Sequence, residues 1–254
     1  MRRVAISSWS LDGALNGGLP LLDVPAAMAA HGIGTLELCH FHLPSTDAEY
    51  LAAFRQALAA SGIELYSVLI DTGDLVSPDP ARQAADHATI AGWLPIAAAL
   101  GASRVRIDAG LQAPDDTIVA RSAAELRGLA EVAATHGLQV ITENWHATSL
   151  PPEALNAILD RCAGTVGLCA DTGNAEATAD KYATLEQILP RASSIHFKAC
   201  YDADGAVNAA DAERCAALIN AAGFDGVLTL IYGDKRDEWA HIEQLRATLQ
   251  PLLG

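Results

Sequence analysis

Residues 136–146 read HGLQVITENWH, and the order of residues in this stretch indicates the fold. Gly137 stands where a helix would end, because glycine readily adopts the left-handed backbone conformation of a helix C-terminus. The run that follows, Gln139–Glu143, is short and contains β-branched residues, which favours a strand. Polar and aromatic residues come next. The stretch therefore predicts a helix end, a strand and a polar loop in close succession.

The same succession recurs along the whole chain. Short apolar runs alternate with longer stretches rich in Ala and Leu, and glycines precede several of the runs. The predicted strands are Arg3–Ser8, Thr35–Cys39, Glu64–Ile70, Arg104–Asp108, Gln139–Glu143, Val166–Ala170, Ser194–Phe197 and Val227–Ile231. This alternation favours a closed parallel barrel, and no GxGxxG motif indicates a doubly wound dinucleotide-binding sheet. We therefore predict an α/β fold, one (β/α)₈ TIM barrel that spans residues 1–254 as a single domain.

Composition and charge argue against several classes of protein. Hydrophobic residues make up 51% of the chain and charged residues 19%, which is typical of globular proteins. The formal net charge of −15 would repel a phosphate backbone, so no nucleic-acid partner is expected. No apolar run reaches the ~18 residues of a membrane helix, and none at the start resembles a signal-peptide core. The five cysteines form no CxxC pair, and their odd number argues against a disulfide framework, so a cytoplasmic location is expected.

Three polar residues stand at the carboxyl ends of consecutive predicted strands, where (β/α)₈ barrels carry their active sites. Glu143 ends the fifth strand, Asp171 follows the sixth, and His196 lies in the seventh. Two carboxylates and an imidazole are ligands suited to one divalent metal ion, Mn²⁺, Mg²⁺, Co²⁺ or Zn²⁺. Each residue alone is equally well explained as a hydrogen-bonded polar group at the start of a loop. Their matched positions favour a metal site.

Six segments together resemble the xylose-isomerase-like barrels. This family includes sugar and sugar-phosphate isomerases, tagatose-type epimerases, inosose dehydratases and apurinic endonucleases. The segments are GTLEL at strand 2, LGASRVRI at strand 4, HGLQVITEN at strand 5, VGLCADTGN at strand 6, SSIHFK at strand 7 and AGFDGVLTL at strand 8. Each is short, but their order and spacing cover essentially the whole chain. The resemblance implies a small sugar or keto-sugar as substrate and a homo-oligomeric protein.

The resemblance also implies roles for individual residues, with two departures from the family pattern. Three of the four usual metal ligands are matched by Glu143, Asp171 and His196. Substrate contacts are expected at Glu37, Arg106, Asn174 and Lys198. The fourth ligand is a glutamate that closes strand 8, and Ile231 occupies its place. Asn174 stands where a histidine is often found, three residues after the strand 6 aspartate.

The departure at Ile231 bears on the expected reaction. In the isomerases and epimerases of this family, two glutamates on opposite sides of the metal exchange protons with the carbon next to the substrate carbonyl. Isoleucine can neither bind a metal nor carry a proton. The leading hypothesis is a divalent-metal-dependent sugar or keto-sugar isomerase or epimerase that works through a metal-stabilised enediolate. The alternatives are a lyase or dehydratase that eliminates across a keto-sugar or keto-glycoside, and a non-catalytic sugar-binding or accessory protein.

Two residues besides Glu143 are candidates for moving protons. His146 follows Glu143 by three residues and titrates near working pH, which suits a general base, although a loop histidine without a role explains it equally well. Lys198 lies two residues after His196 and therefore points to the same face of its strand. There it could stabilise an oxyanion or protonate a leaving group. A salt bridge with Asp171 or Asp202 is the alternative.

Four further side chains near strand ends each have two interpretations. His40 and His42, after strand 2, either bind substrate or pack within their loop. Trp9 and Trp145 either stack on the apolar face of a sugar ring or pack in the core.

The charged segment 234–239 after strand 8 either supplies an acid or base in place of the missing glutamate or starts the last helix at the surface. Cys39 and Cys169 are interpreted as small buried hydrophobic residues rather than nucleophiles, because no base is evident beside them in the sequence.

Overall fold

The centre of the molecule is a closed barrel of parallel strands, each paired with the next and β8 paired with β1. The structure is a computed structural model that describes residues 2–202 and 205–253. The strands are Arg3–Ser7 (β1), Thr35–Cys39 (β2), Glu64–Ile70 (β3), Arg104–Ile107 (β4), Gln139–Glu143 (β5), Val166–Asp171 (β6), Ala192–Lys198 (β7) and Val227–Ile231 (β8). The predicted (β/α)₈ barrel is confirmed.

Helices connect successive strands and cover the outside of the barrel. They are Asp12–Asn16 (α1), Val24–Ala30 (α2), Ala48–Ser61 (α3), Pro80–Leu100 (α4), Asp116–Thr135 (α5), His146–Ser149 (α6), Pro152–Cys162 (α7), Lys181–Ile188 (α8), Ala209–Ala221 (α9) and Glu238–Leu253 (α10). Gly62 and Gly101 end α3 and α4 in the left-handed conformation, so each helix stops just before a strand. Within residues 2–202 and 205–253, no helix has both the length and the apolar character that crossing a membrane requires.

The strand boundaries agree with the sequence predictions to within two residues. The largest difference is at β7, which begins at Ala192 rather than at Ser194. A register shift in β6 between Leu168 and Cys169 lets Ala192 pair with Leu168. Hydrogen bonding to the neighbouring strand therefore extends β7 through a segment that has no apolar pattern of its own.

The register of β5, β6 and β7 brings the predicted site residues side by side. Glu143 pairs with Cys169, and Asp171 pairs with His196. Alternate side chains of a strand point to the same face, so Cys169 and Asp171 share one face of β6. These four residues therefore meet at the carboxyl end of the barrel.

Gly110 lies in the loop after β4, packed against the loop after β3. Its φ is +137°, and a Cβ there would lie 2.3 Å from Val76 Cγ2 and 3.0 Å from Thr148 Oγ1. We expect Gly110→Ala to lower the free energy of unfolding by about 1–3 kcal/mol, because the added methyl group overpacks this contact. Denaturant unfolding of the variant and the wild type measures the loss.

Gly92→Ala is the matched control for that measurement. Gly92 lies within α4, where a Cβ would meet no atom within 4 Å. Alanine there should leave stability unchanged or raise it by up to about 1 kcal/mol. Equal stability of the two variants would contradict the close contact at Gly110.

Candidate functional site

A small cavity opens at the carboxyl end of the barrel, with a volume of about 150 Å³. The described residues that line it are Ser7, Trp9, Cys39, Leu69, Asp71, Arg106, Glu143, Trp145, Asp171, Asn174, His196, Lys198 and Ile231. Most of the side chains that the sequence selected are among them. The selected residues outside the lining are Glu37, His40, His42 and His146.

Glu143, Asp171 and His196 converge in the wall of this cavity. His196 Nδ1 lies 3.6 Å from Glu143 Oε1 and 3.8 Å from Asp171 Oδ2. All three side chains are almost completely buried. The structure thus places the three predicted metal ligands around one point.

Hydrogen bonds fix the orientation of His196 and Asp171. His196 Nε2 lies 2.7 Å from Oε2 of Glu37, which is fully buried, so Nδ1 is the ring nitrogen that faces the carboxylates. Asp171 Oδ1 accepts two hydrogen bonds of 2.7 Å, from the N–H groups of Gly173 and Asn174. Its Oδ2 faces His196. Glu37, which the resemblance assigns to substrate binding, contacts His196 and does not reach the cavity wall.

Asn174 and Arg106 hold Glu143 from two sides. Asn174 Nδ2 donates a hydrogen bond of 2.8 Å to Glu143 Oε1. Oε2 lies 3.1 Å from Arg106 Nε, but the angle is not that of a hydrogen bond. Among the described residues, this buried oxygen therefore has a charged neighbour and no hydrogen-bond partner.

The charges in this cluster shift its pKa values in opposite directions. Burial opposes ionisation of Glu143, but Arg106 and His196 outweigh it and hold the carboxyl pKa far below its ordinary value. Burial and the nearby Glu143 charge raise the pKa of Asp171. Burial would lower the pKa of His196, but Cys169 and the surrounding carboxylates raise it well above the ordinary value. The cluster therefore favours a positive charge between its carboxylates.

The atoms of this cluster fit one divalent metal ion. Ligand bonds of about 2.0–2.2 Å place two ligands of the same ion roughly 3–4 Å apart. The separations of 3.6 and 3.8 Å from His196 Nδ1 agree with that spacing. Glu143 Oε2 is buried without a hydrogen-bond partner in the described part of the chain. A carboxylate on the far nitrogen of His196, here from Glu37, is the usual means of orienting a metal-binding histidine.

Arg106 lies between three carboxylates. Its guanidinium pairs with Asp71, Asp108 and Glu143, and it lies over the ring of Trp145, 5.2 Å from the ring centroid. Burial alone would lower the pKa of Arg106, but the carboxylates, Asp71 first, raise it above its ordinary value. The guanidinium therefore stays charged and compensates the negative charge around it.

His146 lies at the edge of the site. Its Nε2 is 3.6 Å from Asp108 Oδ2, and its ring stacks on Trp145 with the centroids 4.0 Å apart. Burial lowers the pKa of His146, which favours the neutral imidazole, and burial raises the pKa of Asp108 to about 7. His146 thus contacts two residues of the site without lining the cavity.

Lys198 runs over the backbone of Gly173. A Cβ on Gly173 would lie 2.6–2.8 Å from three side-chain carbons of Lys198, so glycine leaves the room for this path. No ion pair joins Lys198 to Asp171 or Asp202 in the described part of the chain. Lys198 pairs in register with Ile231, and both residues line the cavity. Because Ile231 is the strand 8 residue in the described lining, the strand 8 side of the cavity is apolar.

His40 and His42 lie in a short 3₁₀ helix after β2 and contact residues that follow neighbouring strands. His40 Nδ1 accepts a hydrogen bond of 3.1 Å from the N–H of Asp71. The two ring nitrogens of His42 lie 2.8 Å from Ser8 Oγ and 2.8 Å from Asp12 Oδ1. These contacts are in line with loop packing, and substrate binding by either histidine stays a prediction.

The two tryptophans stand in the cavity wall rather than in the core. Trp9 is 38% exposed and makes an edge contact with Phe41, with ring centroids 6.2 Å apart. Trp145 lies between Arg106 and His146. Both rings therefore border the space that a ligand would occupy.

The charged segment 234–239 is absent from the described lining of this cavity. Glu238 is buried and accepts hydrogen bonds from the N–H groups of Gly13 and Ala14, at 2.6 and 3.0 Å. A neighbouring cavity of about 450 Å³ is lined in part by Asp234, Arg236 and Asp237. The segment thus anchors α1 and borders a second cavity, and it brings no acid or base into the first.

Three residues of the site were not selected as site residues from the sequence. Asp71 and Asp108 directly follow β3 and β4, so the strand-end rule that selected Asp171 would have found them. Cys169 is different, because only the strand register shows that it lies near Glu143 and His196. Cys169 is fully buried, and burial raises the pKa of this thiol to about 11, which agrees with its interpretation as a small buried residue.

Solved structures with the same overall fold as this chain include the following three. An L-ribulose 3-epimerase matches with a TM-score of 0.78 at 18% identity, over 100% of this chain and 95% of its own. A D-psicose 3-epimerase, solved in the presence of D-fructose, matches with a TM-score of 0.73 at 17% identity, over 99% and 100%. The probable 3-DHS dehydratase of petrobactin synthesis from Bacillus anthracis matches with a TM-score of 0.70 at 15% identity, over 99% of both chains.

Sequence comparison assigns the family. No curated protein sequence matches the chain. A family model described as the xylose isomerase-like TIM barrel matches residues 25–250, which is most of the chain and agrees with the resemblance seen in its strand segments. This chain therefore belongs to the xylose isomerase-like TIM-barrel family.

Proposed function

We propose that this protein is a divalent-metal-dependent isomerase or epimerase of a small sugar or keto-sugar. The observation that carries the proposal is the convergence of Glu143, Asp171 and His196 in the wall of a cavity at the carboxyl end of the barrel. The likeness to L-ribulose 3-epimerase and D-psicose 3-epimerase supports a ketose as substrate.

One ion of Mn²⁺, Mg²⁺, Co²⁺ or Zn²⁺ would be held by these three side chains. When bound, it would polarise the substrate carbonyl and acidify the adjacent C–H bond. Glu37 orients the ring of His196, and the backbone N–H groups of Gly173 and Asn174 orient Asp171. The protein therefore sets the direction of its ligand atoms through contacts of its own.

Glu143 and Lys198 are the proposed proton-handling groups of the cavity wall. Glu143 is held as a carboxylate by Arg106, which lowers its pKa against the effect of burial. Lys198, which forms no ion pair with Asp171 or Asp202, can donate to an oxygen that gains negative charge or protonate a leaving group. His146 is a candidate base at the rim, where burial favours its neutral form.

The remaining side chains of the wall suit a hydroxyl-rich molecule. Arg106 and Asn174 carry N–H donors, and Trp9 and Trp145 offer flat apolar faces on which a sugar ring can stack. The cavity of about 150 Å³ restricts this part of the substrate to a small unit.

A lyase or dehydratase is the second candidate, and the apolar wall at Ile231 favours it. Proton exchange on both faces of a substrate needs an acid–base group on each side, and Ile231 provides none on the strand 8 side. Elimination needs one base and one acid for the leaving group. Lys198, the register partner of Ile231, would be that acid. The likeness to the probable 3-DHS dehydratase is in line with this candidate.

Solvent deuterium exchange tests the proposal. Metal-loaded protein is incubated in D₂O with L-ribulose, D-psicose, D-fructose or their keto-sugar analogues, and NMR follows deuterium at the carbon next to the carbonyl. We expect exchange with at least one of them, because deprotonation there is common to isomerisation, epimerisation and elimination. New sugar epimers or isomers identify the first candidate, whereas loss of water or of a substituent identifies the second. A chelator should stop the exchange.

Lys198→Met should slow the exchange by about 10²-fold or more, because it removes a charge and a proton donor from the wall. Lys235→Met is the matched control, since Lys235 is 59% exposed, pairs with Asp12 and is not part of the described cavity wall. Binding of a ketose without any exchange by metal-loaded protein would contradict the enzymatic proposal and favour a sugar-binding protein.

A further inference from the structure

Cys169 lies beside the proposed metal ligands rather than among the hydrophobic residues outside the barrel. It stands two residues before Asp171 in β6 and is fully buried. Because alternate side chains of a strand share a face, its thiol points to the same side as the Asp171 carboxylate. It also pairs in register with Glu143. Three neighbouring strands thus direct a thiol, carboxylates and an imidazole toward one region.

The distances within this group are close to those of a coordination sphere. One ligand atom each from Glu143, Cys169 and His196 lie within 4.8 Å of one another. Metal bonds of about 2.3 Å to sulfur and 2.0–2.2 Å to nitrogen and oxygen would require these atoms to move together by about an ångström at most. All three residues are buried, so no water-exposed loop has to fold over the ion.

On the strand 8 side, the described lining of the cavity offers no metal ligand. Ile231 ends β8 and contributes only hydrocarbon to the cavity wall. A metal held by Glu143, Asp171 and His196 is therefore short of one protein ligand on the strand 8 side. The thiol of Cys169 is near enough to supply that ligand from the strand 6 side.

We propose that Cys169 binds the divalent metal of this site as a thiolate, together with Glu143, Asp171 and His196. The inference rests on the metal site of the proposed function. On binding, the S–H bond breaks, a metal–sulfur bond forms and the proton leaves to solvent, with no change in oxidation state.

A thiolate ligand decides which metal the site prefers. Sulfur is a soft ligand that binds Zn²⁺ and Co²⁺ well, whereas Mg²⁺ and Mn²⁺ prefer oxygen. We therefore infer that this chain selects Zn²⁺ or Co²⁺ over Mg²⁺ and Mn²⁺. In the Cys169→Ser variant, affinity for Zn²⁺ should fall by about 10–100-fold or more, while affinity for Mg²⁺ should change little.

Absorption spectroscopy of the full-length protein loaded with Co²⁺ tests the inference without reference to activity. We expect a near-ultraviolet band from charge transfer between thiolate and Co²⁺, in addition to the visible bands of bound Co²⁺. Zn²⁺ binding in weakly buffered solution should release one more proton from wild type than from Cys169→Ser. The charge-transfer band reports the metal–sulfur bond, and the additional proton reports the loss of the thiol hydrogen.

Cys39→Ser is the matched control. Cys39 is also buried at a strand end and lines the cavity, but it is not part of the group of close ligand atoms. Its loss should leave the charge-transfer band unchanged, whereas Cys169→Ser should remove it. Cys200→Ser is a second control, because Cys200 belongs to another group of close ligand atoms, with Glu176 and Asp211. If Cys169→Ser does not fold, a band that persists in both control variants supports Cys169, and a wild type without the band overturns the inference.

Two results would overturn the inference, and they differ in what they mean for the proposed function. Bound Co²⁺ with visible bands but no thiolate band in wild type would exclude Cys169 as a ligand and leave the three-ligand site intact. Failure of wild type to bind Co²⁺ or Zn²⁺ at all would contradict both this inference and the metal-dependent function.

Discussion

Glu143→Gln is expected to abolish both metal binding and turnover. The substitution keeps the shape of the side chain but removes its negative charge, and a neutral amide oxygen is a poor ligand for a divalent ion. It also removes a carboxylate that faces His196 Nδ1 at 3.6 Å and Arg106 Nε at 3.1 Å. We expect metal affinity to fall by about 100-fold or more and the deuterium exchange rate by about 10²–10⁴-fold. Metal content by elemental mass spectrometry and the exchange rate measure the two effects.

Glu64→Gln is the matched control for this substitution. Glu64 starts β3 at the amino end of the barrel and pairs with Arg3 at the surface. Its loss should change neither metal content nor exchange. If Glu143→Gln contains as much metal as the metal-bound wild type, the ion binds elsewhere. The proposed site would then be wrong.

Arg106→Met should be the most destabilising single substitution among those considered. It leaves Asp71, Asp108 and Glu143 without the guanidinium that pairs with all three. Removing one partner of a buried ion pair typically costs about 3–5 kcal/mol, because the remaining charge is neither solvated nor compensated. Chemical denaturation in the presence of a chelator measures this loss in the metal-free protein.

The destabilisation should grow as the pH rises. Without Arg106, burial raises the folded-state pKa values of the Asp108 and Glu143 carboxyl groups above their unfolded values. A carboxyl group whose pKa is raised in the folded state stabilises the protein below its unfolded-state pKa. This contribution to the free energy of unfolding is lost as the pH rises through the folded-state pKa. Asp108, whose pKa is already about 7 beside Arg106, adds to the deficit of the variant only above about pH 7. The deficit relative to wild type should therefore be larger at pH 8 than at pH 5.

Arg104→Met on the same strand is the control. Arg104 lies over the ring of Tyr66, with its guanidinium carbon 4.5 Å from the ring centroid, and its loss should cost about 1 kcal/mol at most. A similar, pH-independent loss in the two variants would show that Arg106 does not compensate buried charge.

The barrel and the principal residues of the candidate site could be predicted from the amino-acid sequence. Strand positions followed from short apolar runs after helix-ending glycines, because these patterns depend on a few neighbouring residues. The set of Glu143, Asp171 and His196 followed from one rule, that chemistry in this fold lies at the carboxyl ends of strands. The same rule would also have selected Asp71 and Asp108, since each directly follows a strand.

The contacts among these residues could not be predicted from the sequence. Glu37 orients His196 although 159 positions separate them, and His42 contacts Asp12 in the loop after a different strand. Cys169 lies close to Glu143 and His196 because the register of β5, β6 and β7 places it there. Local patterns specify which way a side chain points along its own strand. Which side chains meet across the barrel depends on strand register and on the closure of β1 against β8, and no local pattern contains that information.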